Sequence, residues 1–377
     1  MKRLTFIILC LEGAVLSFNV AATAALIPSI AFEFGLSQFF AAKIIWLYMI
    51  PYGVAALFYG PLIRFVDAKR VEMVCIFCFA AANLAASLSG NINILFIARF
   101  FMGLFGASVI PLGLILIARH IEDKKRGRFV GIFFSATFVA SLLGLFLSGI
   151  LYWRFIYLIP AIAAFLLFFV ILFYLPSFKE DVTGFKMHYG AAFKDRRVFV
   201  VFAYIFLISL FYHGVQQWLG VYFSQKLFFS QFLISMLITL TSFSGIFGEV
   251  AGGYLADTFG RLKTMNLGII IMILSVFALL LRMPVFMFAI FMAIWGLGWA
   301  LNHAGISTLL TDLPKKFLNE AASLNSSVRF ISGGLGAALS GFLMRKSFTS
   351  GFIVLGVCLV TLCFFTEKLF KREQKSL

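Results

Sequence analysis

Charged side chains inside long apolar stretches are the features of this 377-residue sequence that point most directly to chemistry. Burying a charge in hydrocarbon is costly, so such a group is a functional candidate by default. Glu12 lies ~12 Å into the first apolar stretch, counted at 1.5 Å per helical residue. A carboxyl group at that depth could bind and release a proton; the alternatives are a structural hydrogen bond or a position at the membrane interface.

Two more ionisable groups interrupt later apolar stretches. Arg329 lies near the middle of its stretch, where it could hold an anionic group of a substrate or simply pack against Gly333 and Gly334. Glu249 precedes Asp257 by two helical turns and lies nearer a cytoplasmic helix end, so a structural ion pair is favoured for it.

Polar and aromatic residues recur at helical spacing in two further stretches. His213, Gln216 and Gln217 lie three and four residues apart, which places them on one face of a helix, as the lining of a cavity requires. Their neighbour Trp218 is expected in the aromatic belt at the membrane surface. An aromatic stripe can equally face lipid or the protein core, but the accompanying polar groups make further cavity candidates of Trp295, Trp299, Asn302 and His303, with Asn19 and Asn325.

Nothing in the sequence indicates an enzyme, a bound metal or another cofactor. The four histidines are scattered without ligand spacing, and no nucleophile elbow or phosphate-binding loop is present. The five cysteines lie in apolar stretches and are expected to be small packing residues without disulfides. Because no ATP-binding motif is present, any transport is expected to draw on an ion gradient or on the substrate itself.

The composition indicates which solvent surrounds these residues. Apolar residues make up 62% of the chain and charged residues 12%, whereas soluble domains have about 45–50% and about 25%. A soluble globular protein is therefore excluded, and lipid must cover much of the surface. The net charge of +16 would suggest a nucleic-acid partner for a soluble protein. In a membrane protein it is typical of basic cytoplasmic loops, so no nucleic-acid partner is expected.

Apolar runs bounded by charges predict twelve membrane-spanning helices. Most lysines and arginines fall in alternate loops on one side, which predicts a multi-pass protein of the inner (plasma) membrane with both termini in the cytoplasm. The first run has features of a signal peptide, but Glu12 and the length of the run favour a retained helix. The predicted spans are 4–28, 38–62, 71–89, 92–118, 128–151, 155–175, 198–222, 231–255, 263–281, 284–310, 318–343 and 350–366.

The two halves of the chain resemble each other in three places at nearly one register. Gly144–Leu151 matches Gly336–Leu343 at an offset of 192 residues. At an offset of 193, Gly103-Leu104 matches Gly296-Leu297, and Gly60-x-Leu62 matches Gly253-x-Leu255. An internal duplication of six plus six helices is therefore predicted. Its parts are an N-terminal six-helix bundle in 1–176, a cytoplasmic linker in 177–197 and a C-terminal six-helix bundle in 198–377.

The stretch Gly252–Lys263, GGYLADTFGRLK, is the most specific motif. It predicts a helix that ends in a short charged turn, in which Gly260 suits a position with unusual backbone angles and Asp257 can pair with Arg261. This motif is similar to the loop signature of major facilitator superfamily transporters. Further stretches that resemble this family are Ala25–Pro28 followed by Gly35–Ser37, Arg99–Ala107 and Trp153–Phe155.

The resemblance covers the whole chain and implies an all-α membrane fold with twelve transmembrane helices in two pseudo-symmetric six-helix bundles. It implies that helices 1, 4, 7 and 10 line a central cavity. It also implies a coupling or gating role for Arg99, for which a buried structural pair is the alternative. The gating loop that it implies, in which the aspartate braces one closed state, consists of Gly253, Asp257, Gly260 and Arg261.

Two stretches depart from the family pattern. In the first-half copy of the loop, Arg64 stands in place of the aspartate and Asp67 in place of a glycine, so the bracing role is not carried over to that loop. In helix 5, Gly144-Leu145 stands where proton-driven antiporters often have Gly-Pro. This second departure weakens an assignment as an antiporter.

The sequence therefore predicts a monomeric secondary transporter that moves a small-molecule substrate by alternating access of two rocking halves. The first hypothesis is proton-coupled efflux of an amphipathic compound, with Glu12 as the proton carrier. The second is uptake or exchange of a small organic anion held by Arg99 and Arg329. A third, of another class, is a sensor or assembly protein that keeps the fold without transporting anything.

Overall fold

The structure is a computed structural model that describes residues 3–63, 65–177, 189–310, 313 and 318–374. Arg64 and residues 178–188 of the predicted linker lie outside the described residues. No strand occurs in the described ranges, which consist of helices and short turns. The helices are α1 (Arg3–Ser17), α2 (Ala22–Glu33), α3 (Gln38–Ala41), α4 (Lys43–Leu62), α5 (Ala68–Ser87), α6 (Ile92–Gly106), α7 (Val109–His120), α8 (Asp123–Ser148), α9 (Trp153–Tyr174), α10 (Tyr189–Lys194), α11 (Arg196–Gln216), α12 (Leu219–Leu227), α13 (Gln231–Thr258), α14 (Arg261–Ala278), α15 (Val285–Leu310), α16 (Leu318–Lys346) and α17 (Phe348–Gln374).

The helices are long and apolar enough to cross a membrane many times. Eleven spans are found in the described residues, and α1 with α2, bent by 41° relative to each other, makes a twelfth. The pairs α3–α4, α6–α7 and α11–α12 each form one span. Phe58, Phe173 and Phe342 are exposed on these helices, since lipid is the solvent of their outer faces. The predicted all-α membrane fold is confirmed.

Three spans contain a break of two or more residues, between α1 and α2, α6 and α7, and α11 and α12, and buried side-chain hydrogen bonds to other helices accompany two of these breaks. Asn19, in the first break, donates from Nδ2 to Oδ1 of Asn83 at 2.6 Å. Trp218, in the third, donates from Nε1 to the carbonyl oxygen of Ala337 at 2.9 Å and is fully buried. The belt position predicted for Trp218 is therefore wrong, because its ring packs onto α16 instead of facing the membrane surface.

The chain forms two compact units. Unit 1 comprises Met1–Lys186 and the short segment Ser230–Ser235, and unit 2 comprises Met187–Phe229 and Met236–Leu377. Each unit contains six of the spans, with the first turn of α13 grouped in unit 1.

Both units contain the same pair of glycine contacts. In unit 1, a methyl group on Gly144 of α8 would overlap the carbonyl oxygen of Phe18; in unit 2, one on Gly336 of α16 would overlap that of Leu210. These contacts are related by the offset of 192 residues that the sequence shows, so the repeated glycines mark equivalent close approaches of helices. The second pair, at an offset of 193, is Gly103 against Tyr48 and Gly296 against Thr241.

Arg154 joins the ends of three helices in unit 1. Its Nη2 pairs with Oε1 of Glu33, the last residue of α2, at 2.6 Å, and its Nη1 donates to the carbonyl oxygen of Ser87, the last residue of α5, at 2.6 Å. The indole of the preceding residue, Trp153, donates to Oε2 of Glu33. The Trp-Arg pair therefore fixes the start of α9 against α2 and α5.

We expect Arg154→Lys to lower the thermal stability of the protein. A lysine ammonium cannot reproduce the planar fork that reaches Glu33 and Ser87 together, and the loss of one charged hydrogen bond costs about 1.5–3 kcal/mol. Thermal unfolding in detergent measures the change. The matched control is Arg128→Lys at an exposed position of α8; equal melting temperatures for the two variants would contradict the role of Arg154.

Candidate functional site

An aromatic cluster, made of Tyr212, His213, Trp295 and Trp299, lies between α11 and α15 in unit 2. The Tyr212 ring stacks on Trp299, with centroids 3.8 Å apart and planes at 11°, and on Trp295 at 5.2 Å and 13°. His213 approaches the edge of Trp299 at 6.0 Å. Tyr212 and Trp295 are buried, with 8% and 1% of their surfaces exposed, whereas Trp299 is half-buried and keeps ring surface on which an aromatic or otherwise apolar compound could stack.

The predicted glutamines join this cluster. Trp295 donates from Nε1 to Oε1 of Gln216 at 2.7 Å, and Gln216 in turn donates to the hydroxyl of Thr241 on α13 at 3.3 Å. Nε2 of Gln217 lies 3.3 Å from Nδ1 of His213. The structure therefore brings together the two stripes that the sequence predicts on separate helices, and the hydrogen bonds hold the indole and imidazole rings in place.

Sequence reasoning missed Tyr212, which has the most extensive stacking in the cluster. It precedes Gln216 by four residues and therefore lies on the same helix face. That spacing was a usable signal, but a tyrosine in an apolar helix is common and does not reveal which rings it meets on another helix.

A second cluster, which we call the charged cluster, consists of Glu249 on α13, His303 on α15 and Arg329 on α16. Nδ1 of His303 lies 2.6 Å from Oε1 of Glu249, so the ion pair expected for Glu249 forms with this histidine when its ring is protonated. Arg329 donates from Nε to Oδ1 of Asn325 at 2.7 Å and interacts electrostatically with Glu249 and His213. The charged cluster therefore lies next to the aromatic cluster, and His213 interacts with both.

The guanidinium of Arg329 has unused donor capacity. Its Nη1 and Nη2 atoms are both shielded from solvent, yet neither has a hydrogen-bond partner among the described residues. Leaving such donors unpaired costs about 1–3 kcal/mol or more. A carboxylate or another planar anion could accept two parallel hydrogen bonds from these atoms.

Asn302, predicted on the same stripe as the tryptophans, contacts other helices. It is fully buried and donates from Nδ2 to the hydroxyl of Tyr204 at 2.6 Å and to the carbonyl oxygen of Met265 at 3.0 Å. These contacts join α15 to α11 and α14. The cavity role of Asn302 stays a prediction, as does that of Asn19 in the break between α1 and α2.

Unit 1 holds two buried acids close together. Glu12 on α1 and Glu72 on α5 are each 2% exposed, and their carboxyl groups interact electrostatically. Both oxygens of Glu72 lack a hydrogen-bond partner among the described residues. Sequence reasoning missed Glu72, although an acid inside the apolar stretch of α5 was the same signal that singled out Glu12.

Arg99 on α6 is held by uncharged groups. Its Nε donates to the carbonyl oxygen of Ile44 at 3.0 Å, and its guanidinium lies 4.4 Å from the centre of the Tyr48 ring. With 1% of its surface exposed, the side chain makes the buried structural pair considered as the alternative. Its substrate-binding and coupling roles stay predictions.

The charged turn of the loop motif connects α13 to α14. Gly260 has φ of 93°, a left-handed conformation that confirms the unusual backbone angles predicted there. Asp257 is exposed, Arg261 begins α14, and the space around Gly253 is open. The gating role of this turn stays a prediction. Elsewhere, the described residues include no group of three or more His, Cys, Asp or Glu side chains that could hold a metal ion.

Comparisons with known proteins show which family the sequence matches. The family model of the Major Facilitator Superfamily matches residues 9–337 and 223–377. The chain is 24% identical to Multidrug resistance protein 3 of Bacillus subtilis (strain 168) over 381 residues, which cover 82% of this chain and 73% of that protein. It is 30% identical to the MFS-type transporter traF of Penicillium crustosum over 117 residues, 31% of this chain but only 24% of that longer protein.

The fold also matches solved structures. A crystal structure of the nucleoside transporter NupG superposes with a TM-score of 0.78, covering 98% of this chain and 100% of that one, at 14% sequence identity. This likeness concerns the fold alone.

Proposed function

The chain belongs to the Major Facilitator Superfamily, and we propose that within this family it exports a small amphipathic organic compound across the plasma membrane in exchange for protons. As a member of this family it is a multi-pass membrane transporter that moves small molecules, and it is not an enzyme. Alternating access of two six-helix bundles is the mechanism we propose, with the bundles in 1–176 and 198–377 joined by 177–197. Both termini are proposed to be cytoplasmic and the working unit to be a monomer.

The observation that carries the proton-coupled proposal is the burial of Glu12. A carboxyl group in hydrocarbon is far less costly to bury with its proton than without it. Among the described residues, the charged side chain that interacts with Glu12 is another acid, Glu72, and not a lysine or arginine that would neutralise it permanently. Glu12 can therefore alternate between a protonated and an ionised form as its access to water changes.

The aromatic cluster supports an amphipathic substrate. The half-buried ring of Trp299, held by its stacking on Tyr212, offers an apolar face, and the amide of Gln217 and the His213 ring add polar groups beside it. Such a surface suits compounds that combine an aromatic body with a polar or charged end. The name of the similar Bacillus subtilis protein, Multidrug resistance protein 3, fits this substrate class.

Proton flux in reconstituted vesicles tests the proposal. Vesicles of phosphatidylethanolamine and phosphatidylglycerol are loaded at acidic pH with a pH-sensitive dye, and ethidium is added outside as the amphipathic probe. We expect ethidium to drive proton release from vesicles containing the protein and not from empty vesicles. Ethidium transport without proton movement would contradict the coupling. No transport across a broad panel of amphipathic compounds and organic acids would favour the non-transporting sensor.

A second candidate function is uptake or exchange of a small organic anion. The observation that favours it is the unpaired Nη1 and Nη2 of Arg329, shielded from solvent and joined to the aromatic cluster through His213. An aromatic carboxylate would satisfy both features, because its carboxylate can pair with the guanidinium while its ring stacks on the half-buried Trp299.

If this second function is correct, Arg329→Ala weakens benzoate binding about tenfold or more, the equivalent of one charged hydrogen bond of about 1.5–3 kcal/mol. Arg329→Lys retains part of the affinity because it keeps the charge without the fork. Benzoate-dependent thermal stabilisation of the purified protein measures both effects. Arg282→Ala, at an exposed arginine between α14 and α15, is the matched control. Unchanged benzoate affinity in Arg329→Ala would exclude this arginine as the anion site.

A further inference from the structure

The first and third spans meet inside unit 1 at a shared glycine. A methyl group on Gly106 of α6 would lie against the side chains of both Leu16 on α1 and Phe79 on α5. About one turn further along the chain, Asn19, in the break that follows α1, donates to Asn83 of α5 at 2.6 Å. Leu16 and Phe79 therefore lie at the same height along α1 and α5, and this shared height fixes the register of the two helices.

The relative heights of the two buried acids follow from the number of residues that separate each from Leu16 or Phe79. Glu12 precedes Leu16 by four residues, and Glu72 precedes Phe79 by seven. If both helices run in the same direction, as the first and third spans of an alternating topology do, Glu72 lies about one turn, ~5 Å, closer to the helix N-termini than Glu12 does. The electrostatic interaction between the two carboxyl groups agrees with this placement.

A third acid extends the series to the end of α5. Asp67 caps the N-terminus of this helix, where its Oδ1 accepts a hydrogen bond from the backbone N–H of Arg70, and it is half-buried. It interacts electrostatically with Glu72, which lies five residues, or ~7.5 Å of helix rise, further in. Asp67, Glu72 and Glu12 therefore form a stepped series of acids, which we call the acid series.

Among the described residues, the other titratable side chain that interacts with Glu72 is a thiol. Cys75, one turn along α5, interacts with Glu72 and lies 3.4 Å from the hydroxyl of Tyr59 on α4. That hydroxyl donates to the carbonyl oxygen of Leu104 on α6 at 2.8 Å. In the part of the chain that the structure describes, neither oxygen of Glu72 has a hydrogen-bond partner. Among these residues, no hydrogen bond explains the burial of this carboxyl group.

We propose that Glu72 is the proton-exchange partner of Glu12, through which protons pass between Glu12 and the end of α5 at Asp67. In each transfer towards the helix end, the O–H bond of Glu12 breaks and an O–H bond forms on the Glu72 carboxylate. The O–H bond of Glu72 then breaks, which restores its carboxylate, and the proton passes to the Asp67 carboxylate, which releases it to water. The inference rests on the proposed proton coupling and adds a route and a second protonated residue to it.

The two carboxyl groups can be observed without any substrate. Infrared difference spectra between acidic and alkaline pH, on protein in phosphatidylethanolamine–phosphatidylglycerol vesicles, report each buried protonated carboxyl as a carbonyl-stretch band. We expect Glu72→Gln to remove one band and to change the pH midpoint of the band that Glu12→Gln removes. Glu122→Gln, whose carboxylate is exposed beside Lys125, should leave both bands intact. A Glu12 band that titrates identically with and without Glu72 would overturn the proposal.

Ethidium-driven proton release separates this inference from the proposed function. We expect Glu72→Gln to slow the release about tenfold or more, with ethidium binding unchanged by fluorescence, and Glu72→Asp to restore much of the rate. If the wild-type protein couples ethidium to protons and Glu72→Gln does so at the same rate, the relay is wrong and the proposed function stands. If the wild-type protein moves ethidium without protons, both fail. If Glu72→Gln does not fold, proton release is measured with Glu72→Asp instead, because this variant keeps a carboxyl group.

Discussion

Replacing Glu12 with glutamine is expected to reduce ethidium-driven proton release about 100-fold or more. Glutamine has nearly the same shape as glutamate but cannot bind and release a proton at this position. The side chain is 2% exposed in α1, so water cannot readily take over its role. Exchange of ethidium across the membrane without net proton movement should continue, because the aromatic cluster in unit 2 is unchanged.

Two variants control this measurement. Glu12→Asp keeps a carboxyl group and should retain a measurable part of the coupled rate. Glu122→Gln removes an exposed carboxylate that pairs with Lys125 at 3.1 Å and should behave like the wild type. Proton release at the wild-type rate in Glu12→Gln would show that this carboxyl is not the proton carrier, even if other parts of the transport model hold.

The second large effect is expected at Gly144, where an alanine should destabilise unit 1. The added methyl group would overlap the carbonyl oxygen of Phe18, which belongs to the broken backbone between α1 and α2. A backbone carbonyl cannot rotate away as a flexible side chain can, so the two helices must separate. We expect a loss at or above the upper end of the about 1–3 kcal/mol typical of overpacking.

A glycine of the same helix provides the control for Gly144→Ala. Gly131 also lies in α8, but no described atom lies within 4 Å of the position its methyl group would take. Gly131→Ala should therefore leave the protein equally or more stable, since alanine favours a helix by roughly 0.5–1 kcal/mol over glycine. Thermal unfolding in detergent compares the two. Similar melting temperatures would show that the approach of α8 to Phe18 can relax.

Unit 2 offers an independent check of the same idea. Gly336→Ala would overlap the carbonyl oxygen of Leu210 in the equivalent place, and we expect a loss of stability similar to that of Gly144→Ala. The sequence alone pairs Gly144 with Gly336. Only the structure shows that each faces a backbone carbonyl on a neighbouring helix.

Much of the fold follows from the sequence because the bilayer leaves few choices. A run of about 20 apolar residues must form a helix in lipid to satisfy its backbone hydrogen bonds. The predicted spans therefore agree closely with α9, α13 and α15, for example, and the left-handed conformation of Gly260 follows from a motif that ends one helix and begins the next. Local rules of this kind do not depend on which helices become neighbours.

The breaks in the spans were less predictable. The bend between α1 and α2 and the break at Gln217 and Trp218 fall inside predicted spans, where neither proline nor a charge marks them. The indole of Trp218 is buried against α16, where it donates a hydrogen bond to the carbonyl oxygen of Ala337. An interfacial position suits a tryptophan in general, but here a specific partner on another helix was available.

The sequence by itself determined the membrane environment, the helical spans, the repeated glycines that predict an internal duplication and the polar residues that cannot simply face lipid. The tertiary structure decided which of those residues meet: Tyr212 with Trp299, Glu249 with His303, and Glu12 with Glu72. The physical reason is the range of the forces involved. Hydrophobic burial and backbone hydrogen bonding act within one segment and leave a periodic pattern, whereas stacking and charge pairing depend on distances between helices that are far apart in the chain.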